Sequence, residues 1–341
     1  MDREPGVGVV DRVRGGIVCA AVILTATAYS FHLTSFLLAK QAVLSVALFL
    51  MAALAIAGQT PARRGLAAFG PLWVWLGLSA AVHLLVRPAA VPRDALLELT
   101  RCAVLLLAAG LSFDVMARPA WRQRVLGAII ASGVVVALLG LLQYAGWARA
   151  LFPEFAGYSQ RAYSVFGNQD LFGGYLAMAL ALAAYRALVR PRDTGRLALF
   201  GDGLILGTLT AGLLVSGCRA AWLAGGAGCG VAAAFALPHA LREHRRAVGA
   251  VAAFVLAVAA ATALFAREAT IGRMASVFAA GDAGVGLRLW FWDGALRMVR
   301  DHALIGVGPG NYAYWSPRYL GEALWAAGGG LLGRGGAHAF N

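Results

Sequence analysis

The sequence predicts an all-α, polytopic integral membrane protein: about nine transmembrane helices and a large extracytoplasmic segment carrying amphipathic helices. Three observations predict it. Of 341 residues, 60% are hydrophobic and 13% charged, with a mean hydropathy of +0.73, far outside the range of soluble domains. Apolar runs recur at the length that carries a helix across roughly 30 Å of hydrocarbon. Arginines crowd alternate connections, as the positive-inside rule requires.

The nine runs cover residues 16–38, 42–58, 65–86, 95–113, 125–147, 171–189, 197–215, 219–237 and 247–265. Arg12 and Arg14 precede the first, and Ala26-Thr27-Ala28 resembles a signal cleavage site. Its apolar run continues to Leu38, too long for a signal-peptide core, so it reads as a retained span. With the N-terminus in the cytoplasm, the inner segments carry Arg3, Arg12, Arg14, Arg63, Arg64, Arg118, Arg122, Arg124, Arg190, Arg192, Arg196, Arg242, Arg245 and Arg246. The outer segments carry Lys40, Arg87, Arg93, Arg149, Arg161 and Arg219. The ninth span then exits outward. This divides the chain into a transmembrane domain, 1–265, and an extracytoplasmic (periplasmic) loop, 266–341.

The net charge of +13 is accounted for mostly by inner loops beside anionic headgroups, and nucleic acid is excluded as a partner. Lys40 is the sole lysine beside many arginines, which points to a compositional bias. Cys19, Cys102 and Cys229 fall in predicted spans and Cys218 near the outer face, without metal-type spacing. No repeat of solenoid or propeller period is present. Gly225, Gly226, Gly228 and Gly230 suit close helix contact.

Three constellations remain on the outer side. In RAYSVFGNQD, Arg161–Asp170, both Asn168 and Asp170 are natural N-caps for the following span, and Asn168 is equally a substrate-site candidate. Arg161 has no such local explanation. In SGCRAAW, Ser216–Trp222, Arg219 stands at the start of the eighth span, where snorkelling to headgroups competes with a ligand role. The third is RLWFWDGALRMVRDHALIGVGPGN, Arg288–Asn311, followed by His338-Ala339-Phe340-Asn341. As a helix, this stretch puts Leu289, Trp292, Leu296 and Val299 on one face and Asp293, Arg297, Arg300 and Asp301 on the other, with Arg288 at the edge of the apolar face. An arginine turned toward packed structure needs a partner. The helix should stop at Gly306-Val307-Gly308-Pro309-Gly310.

Arginines with few acids to pair them suit an anion, and planar guanidinium groups suit a phosphate or diphosphate best. A lipid-linked diphosphate would keep its tail between spans and its head at this face. Diphosphate is already a good leaving group, so arginines could stabilise its developing charge without a general acid. A base for the incoming hydroxyl is then the missing part, and histidine is the usual choice. Glu268, Asp282, Asp293, Asp301 and Glu322 form no D-x-D or paired-acid site for a divalent ion, so neither metal nor cofactor is expected. His302 is a second base candidate, more simply explained by the helix C-terminus beside it.

R-x6-N from Arg161 to Asn168, S-x-x-R-A-A-W, the later R-x3-W and DHALIGVGPGNY together resemble the O-antigen ligase and polymerase superfamily. These are multispan inner-membrane enzymes with a large periplasmic loop near the C-terminal end. The resemblance implies transfer of a glycan from undecaprenyl diphosphate to a lipid A-core or glycan acceptor, independent of metal, in the bacterial inner membrane. It implies that Arg161, Arg219 and Arg288 hold the diphosphate, with Arg219 and Arg288 catalytic beside His338 as base. Family members usually place histidine directly before the last asparagine, where this chain has Phe340, and they continue into further spans, so the chain is expected to be C-terminally incomplete. A transporter, like a superfamily relative named for bicarbonate transport, or a polyprenyl-lipid-binding module is the alternative. Against it, Glu98 and Asp202, the acids closest to mid-membrane, fall toward span ends, as do His32 and His83.

Overall fold

The computed structural model describes residues 9–28, 36–57, 63–82, 92–147, 161–190, 195–267, 270–271, 283–303 and 306–320. Among them the regular structure is helical: α1 Val9–Thr27, α2 Phe36–Ala57, α3 Arg63–Ala68, α4 Gly70–Ala81, α5 Pro92–Met116, α6 Pro119–Tyr144, α7 Gln169–Leu188, α8 Arg196–Val215, α9 Arg219–Phe265, α10 Ala283–Asp301 and α11 Tyr312–Leu320. A 3-10 turn, Ser164–Phe166, precedes α7. Seven segments among the described residues are long and apolar enough to cross a membrane: Ala39–Ile56, Pro92–Met116, Pro119–Tyr144, Gln169–Leu188, Arg196–Val215, Arg219–Glu243 and Arg245–Phe265. The other two expected spans have physical reasons to fall outside this set. α1 carries Asp11, Arg12 and Arg14. The third span is split at Phe69, because Pro71 lies in the first turn of a new helix and supplies no N–H to the preceding one.

The chain packs as two units, 1–58 with 115–278 and 59–114 with 279–341. This is a division by contact, different in kind from the membrane boundary at 265 that hydropathy suggests.

In the first unit, helix direction follows from which residues meet. Asp11 pairs with Arg118 at 2.8 Å, and Gly15 leaves room for the Trp121 ring, so α1 and α6 begin at the same end. Gly133 meets Ala179 and Gly140 meets Phe172, which sets α7 antiparallel to α6. Gly133 also meets Leu209 and Gly212 meets Ala137, which sets α8 parallel to α6. These small-residue contacts bring backbones close, the usual device where lipid tails outside are as apolar as the core. Phe172, Leu176, Leu209, Val136 and Val215 are fully buried there. One end of the bundle thus collects Arg12, Arg14, Arg118, Arg122, Arg124, Arg190 and Arg196, and the opposite end holds Lys40, Arg161 and Arg219.

The sequence leads one to expect a loop over Pro238–Arg246, yet the backbone stays helical from Arg219 to Phe265 with Pro238 inside. A straight rod would separate Gly225 from Val258 by about 50 Å. Gly225 instead packs on Leu213 and Val258 on Gly207, six residues apart on α8. α9 therefore doubles back as a helical corner, and Arg242, Arg245 and Arg246 join the arginine-rich end. Of the four glycines expected at helix contacts, Gly225 and Gly228 face Leu213 and Ala181, whereas Gly226 and Gly230 have open space on the other side of the helix.

At the arginine-rich end, Arg190 donates to buried Asp202 at 2.7 Å, across the α7–α8 connection. In the second unit Glu98 accepts from Arg101 one turn on. Both acids weighed as transporter groups are thus committed to neighbouring arginines.

In the second unit Gly65 lies against the Gly110 backbone and the Phe69 and Phe113 rings meet edge to face at 6.4 Å, joining α3 to α5. Gly310, at φ +72°, lies so close to the Asp94 carbonyl that an added Cβ would stand 2.6 Å from its oxygen. Only glycine serves there, which is why the GVGPG turn ends as it does. α10 differs from expectation in which face it buries. Gly294 and Met298 are buried, with Gly294 against Leu320 of α11. The apolar stripe stays open, with Leu289 55%, Trp292 65%, Leu296 69% and Val299 63% exposed. A missing side chain at Gly294 admits α11 on that side and leaves the stripe for another medium.

Candidate functional site

The end of the first unit opposite its arginine-rich end brings two of the sequence constellations together. Arg161 Nε donates to the Ser216 carbonyl at 3.1 Å, and the Ala162 N–H donates to the Val215 carbonyl at 2.9 Å. The segment before α7 is thereby tied to the α8–α9 corner, three residues from Arg219. Arg161 also lies 3.7 Å from Asp170. Its local partner is therefore an acid nine residues on, in the first turn of α7, which linear reading did not supply.

Asn168 caps α7, its Oδ1 accepting from Asp170 N at 2.7 Å and Leu171 N at 3.2 Å. Asp170 sits inside the helix and is not the cap. The Asn168 amide oxygen is committed to the backbone, so the capping half of the expectation is what the geometry displays. Asn168→Ala should cost about 1 kcal/mol of stability, with Asn168→Asp restoring most of it, read as melting temperature in detergent.

Residues that sequence reading passed over hold this shelf in place. Gln143 Oε1 accepts from the N–H groups of Tyr163, at 3.0 Å, and Ser164, at 2.8 Å. Ser164 Oγ donates to the Val136 carbonyl at 2.8 Å. These bonds hold Ser164 at φ +50°, a left-handed conformation uncommon for a side-chain-bearing residue. Trp222 Nε1 donates to the Leu213 carbonyl at 2.8 Å and pins the start of α9. Lys40 donates to the Thr25, Ala26 and Ala28 carbonyls at 2.9–3.1 Å, satisfying the end of α1, and lies 4.5 Å over the Phe166 ring. A lone glutamine near a span end and the sole lysine were the available signals.

Cys218 is buried between Ser216 and Arg219. Burial first, and then its hydrogen bond to the Asp170 carboxylate, push its thiol pKa up, so it stays a neutral thiol and not a thiolate nucleophile. The cysteines of the described residues are free.

Arg288 lies within α10, in the second unit, with its side chain outside the described residues. His338 lies outside them altogether. His302 packs edge-on against Trp315 at 5.1 Å, and Arg318 covers the same Trp315 ring at 4.5 Å. The Asn311 carbonyl accepts from Tyr314 and Trp315 N–H groups, starting α11 directly after the glycine turn.

Residues 203–330 match the family model for O-antigen ligase. Over that segment, somewhat more than a third of the chain, the sequence is similar to the O-antigen ligase family. No curated protein and no solved structure matches the chain. The matched segment contains Arg219, Arg288 and the whole DHALIGVGPGNY stretch. Arg161 and Asn168 stand before it, yet Arg161 bonds directly into it at Ser216.

Proposed function

We propose that the protein transfers a glycan from undecaprenyl diphosphate to a lipid A-core or glycan acceptor at the outer face of the inner membrane, without a metal. The likeness of residues 203–330 to the O-antigen ligase family supports ligase or polymerase chemistry in general. The observation that carries the finer reading is the docking of Arg161 onto Ser216, three residues from Arg219, at the end of the bundle away from the arginine cluster. By the positive-inside rule that cluster is cytoplasmic, so Arg161 and Arg219 face outward with the N-terminus inside and nine spans in all.

In this reading Arg161 and Arg219 stabilise the negative charge that develops on the departing diphosphate as the glycosidic C–O bond breaks, the role that the resemblance also gives to Arg288. Asp170 and the Ser216 carbonyl orient the Arg161 guanidinium. His338 takes the proton of the acceptor hydroxyl as it attacks the anomeric carbon. The open stripe of α10, with Trp292 in it and Arg297 and Arg300 on the polar face, suits the bilayer interface, where the acceptor lipid would be met. Transport has no support of this kind, since Asp202 and Glu98 are both paired.

The test places the full-length protein in liposomes with an undecaprenyl-diphosphate-linked oligosaccharide and a lipid A-core acceptor, with and without a chelator. Release of undecaprenyl diphosphate with a lengthened acceptor is expected in both conditions. Transfer onto a second donor glycan would mark a polymerase, and an intact donor with every acceptor would overturn the proposal.

A further inference from the structure

A cavity of about 840 Å³ opens at the arginine-rich end of the first unit, between α7, α8 and the two arms of α9. It runs along α7 from Leu180 to Arg190, about 15 Å of helix. Its walls are apolar for most of that length, with Leu206, Leu237 and Val251 among them, and charge is confined to one end. There Arg190 is paired with Asp202. Glu243 lines the same end and has a partner of its own. Arg245 and Arg246 are exposed at the mouth and make no ion pair among the described residues.

An apolar trough closed by a cationic mouth is complementary to an anionic amphiphile, because neither a free anion nor a neutral hydrocarbon satisfies both parts. The volume falls within the roughly 300–1,000 Å³ of ordinary small-molecule sites. Along α8, Asp202 at this mouth and Ser216 at the Arg161 shelf are fourteen residues apart, about 21 Å, so the cavity is separate from the proposed diphosphate site.

We propose that this cavity binds an anionic glycerophospholipid, one acyl chain lying in the trough and the phosphate between Arg245 and Arg246. The lipid fills the space between the arms of α9 and neutralises two adjacent arginines at the corner, so it holds the folded-back helix against α7 and α8. It requires that the chain reside in a membrane and is independent of glycan transfer.

The test is native mass spectrometry and thermal melting of the full-length protein in nanodiscs of phosphatidylethanolamine with a tenth of phosphatidylglycerol. Retained phosphatidylglycerol and a raised melting temperature are expected. Arg245→Gln with Arg246→Gln should weaken retention about thirtyfold, each arginine contributing about a factor of five. Ala184→Phe, which keeps both arginines but fills the trough, should abolish retention. Equal retention in wild type and the arginine double variant overturns the site, as does displacement by undecaprenyl phosphate at equal concentration. The same stabilisation by inorganic phosphate alone would reject the acyl-chain half. Misfolding in either variant would show as loss of the monodisperse peak, in which case single Arg245→Gln and Arg246→Gln chains decide, each expected to lose about fivefold.

Discussion

Alanine at Arg219 is expected to lower glycan transfer by about a hundredfold or more, the loss that follows removal of one preorganised charge stabiliser. The effect should fall on kcat more than KM, because charge on the diphosphate oxygens grows as the bond breaks. Lysine at the same position should recover only part of the rate, since an ammonium cannot present two parallel N–H groups. Arg161→Ala should show a smaller loss, as Arg161 is engaged with Ser216 and Asp170. The measurement is release of undecaprenyl diphosphate at matched protein levels, with Arg288→Ala and His338→Ala alongside. Full activity in both Arg161→Ala and Arg219→Ala would remove the diphosphate site. Full activity in His338→Ala alone would keep the site and reject that base.

Alanine at Phe172 should give the largest stability loss of any single core change, about 3–5 kcal/mol. Phe172 is completely buried, and its ring fills the space left by Gly140 on α6 while meeting the Phe166 ring at 6.3 Å. Removing it opens a cavity where α6, α7 and the 3-10 turn meet, and the bundle cannot collapse onto a position already occupied by a glycine. Since Phe172 is two residues from Asp170, the Arg161 shelf should loosen as well. Thermal melting in nanodiscs gives the first effect, and faster backbone hydrogen exchange over residues 161–170 the second. An unchanged melting temperature would mean that the helices repack without the ring.

The spans of α5 to α8 were legible because their determinants are local. Apolar length fixes where a helix lies in a bilayer, and the Asn168 cap fixes where α7 begins. The arginine bias was legible for the same reason, and the meeting of helix starts at one end of the first unit agrees with it. The corner at Pro238–Arg246 was not legible. Charge and proline read as a loop there, whereas contacts of Gly225 and Val258 with α8 permit a helical reversal.

The candidate site divides along the same line. Residue type and spacing alone selected Arg161, Arg219 and Asn168, because arginine chemistry and N-cap chemistry are properties of the side chain and its immediate neighbours. Tertiary structure alone decided that Arg161 reaches Ser216 across 55 positions, that Gln143 and Lys40 hold the shelf, and that α10 buries Gly294 instead of its apolar stripe. Hydrophobic periodicity says which face avoids water but not whether protein or lipid covers it. In a membrane both are equally apolar, so the choice falls to small residues that let particular backbones touch.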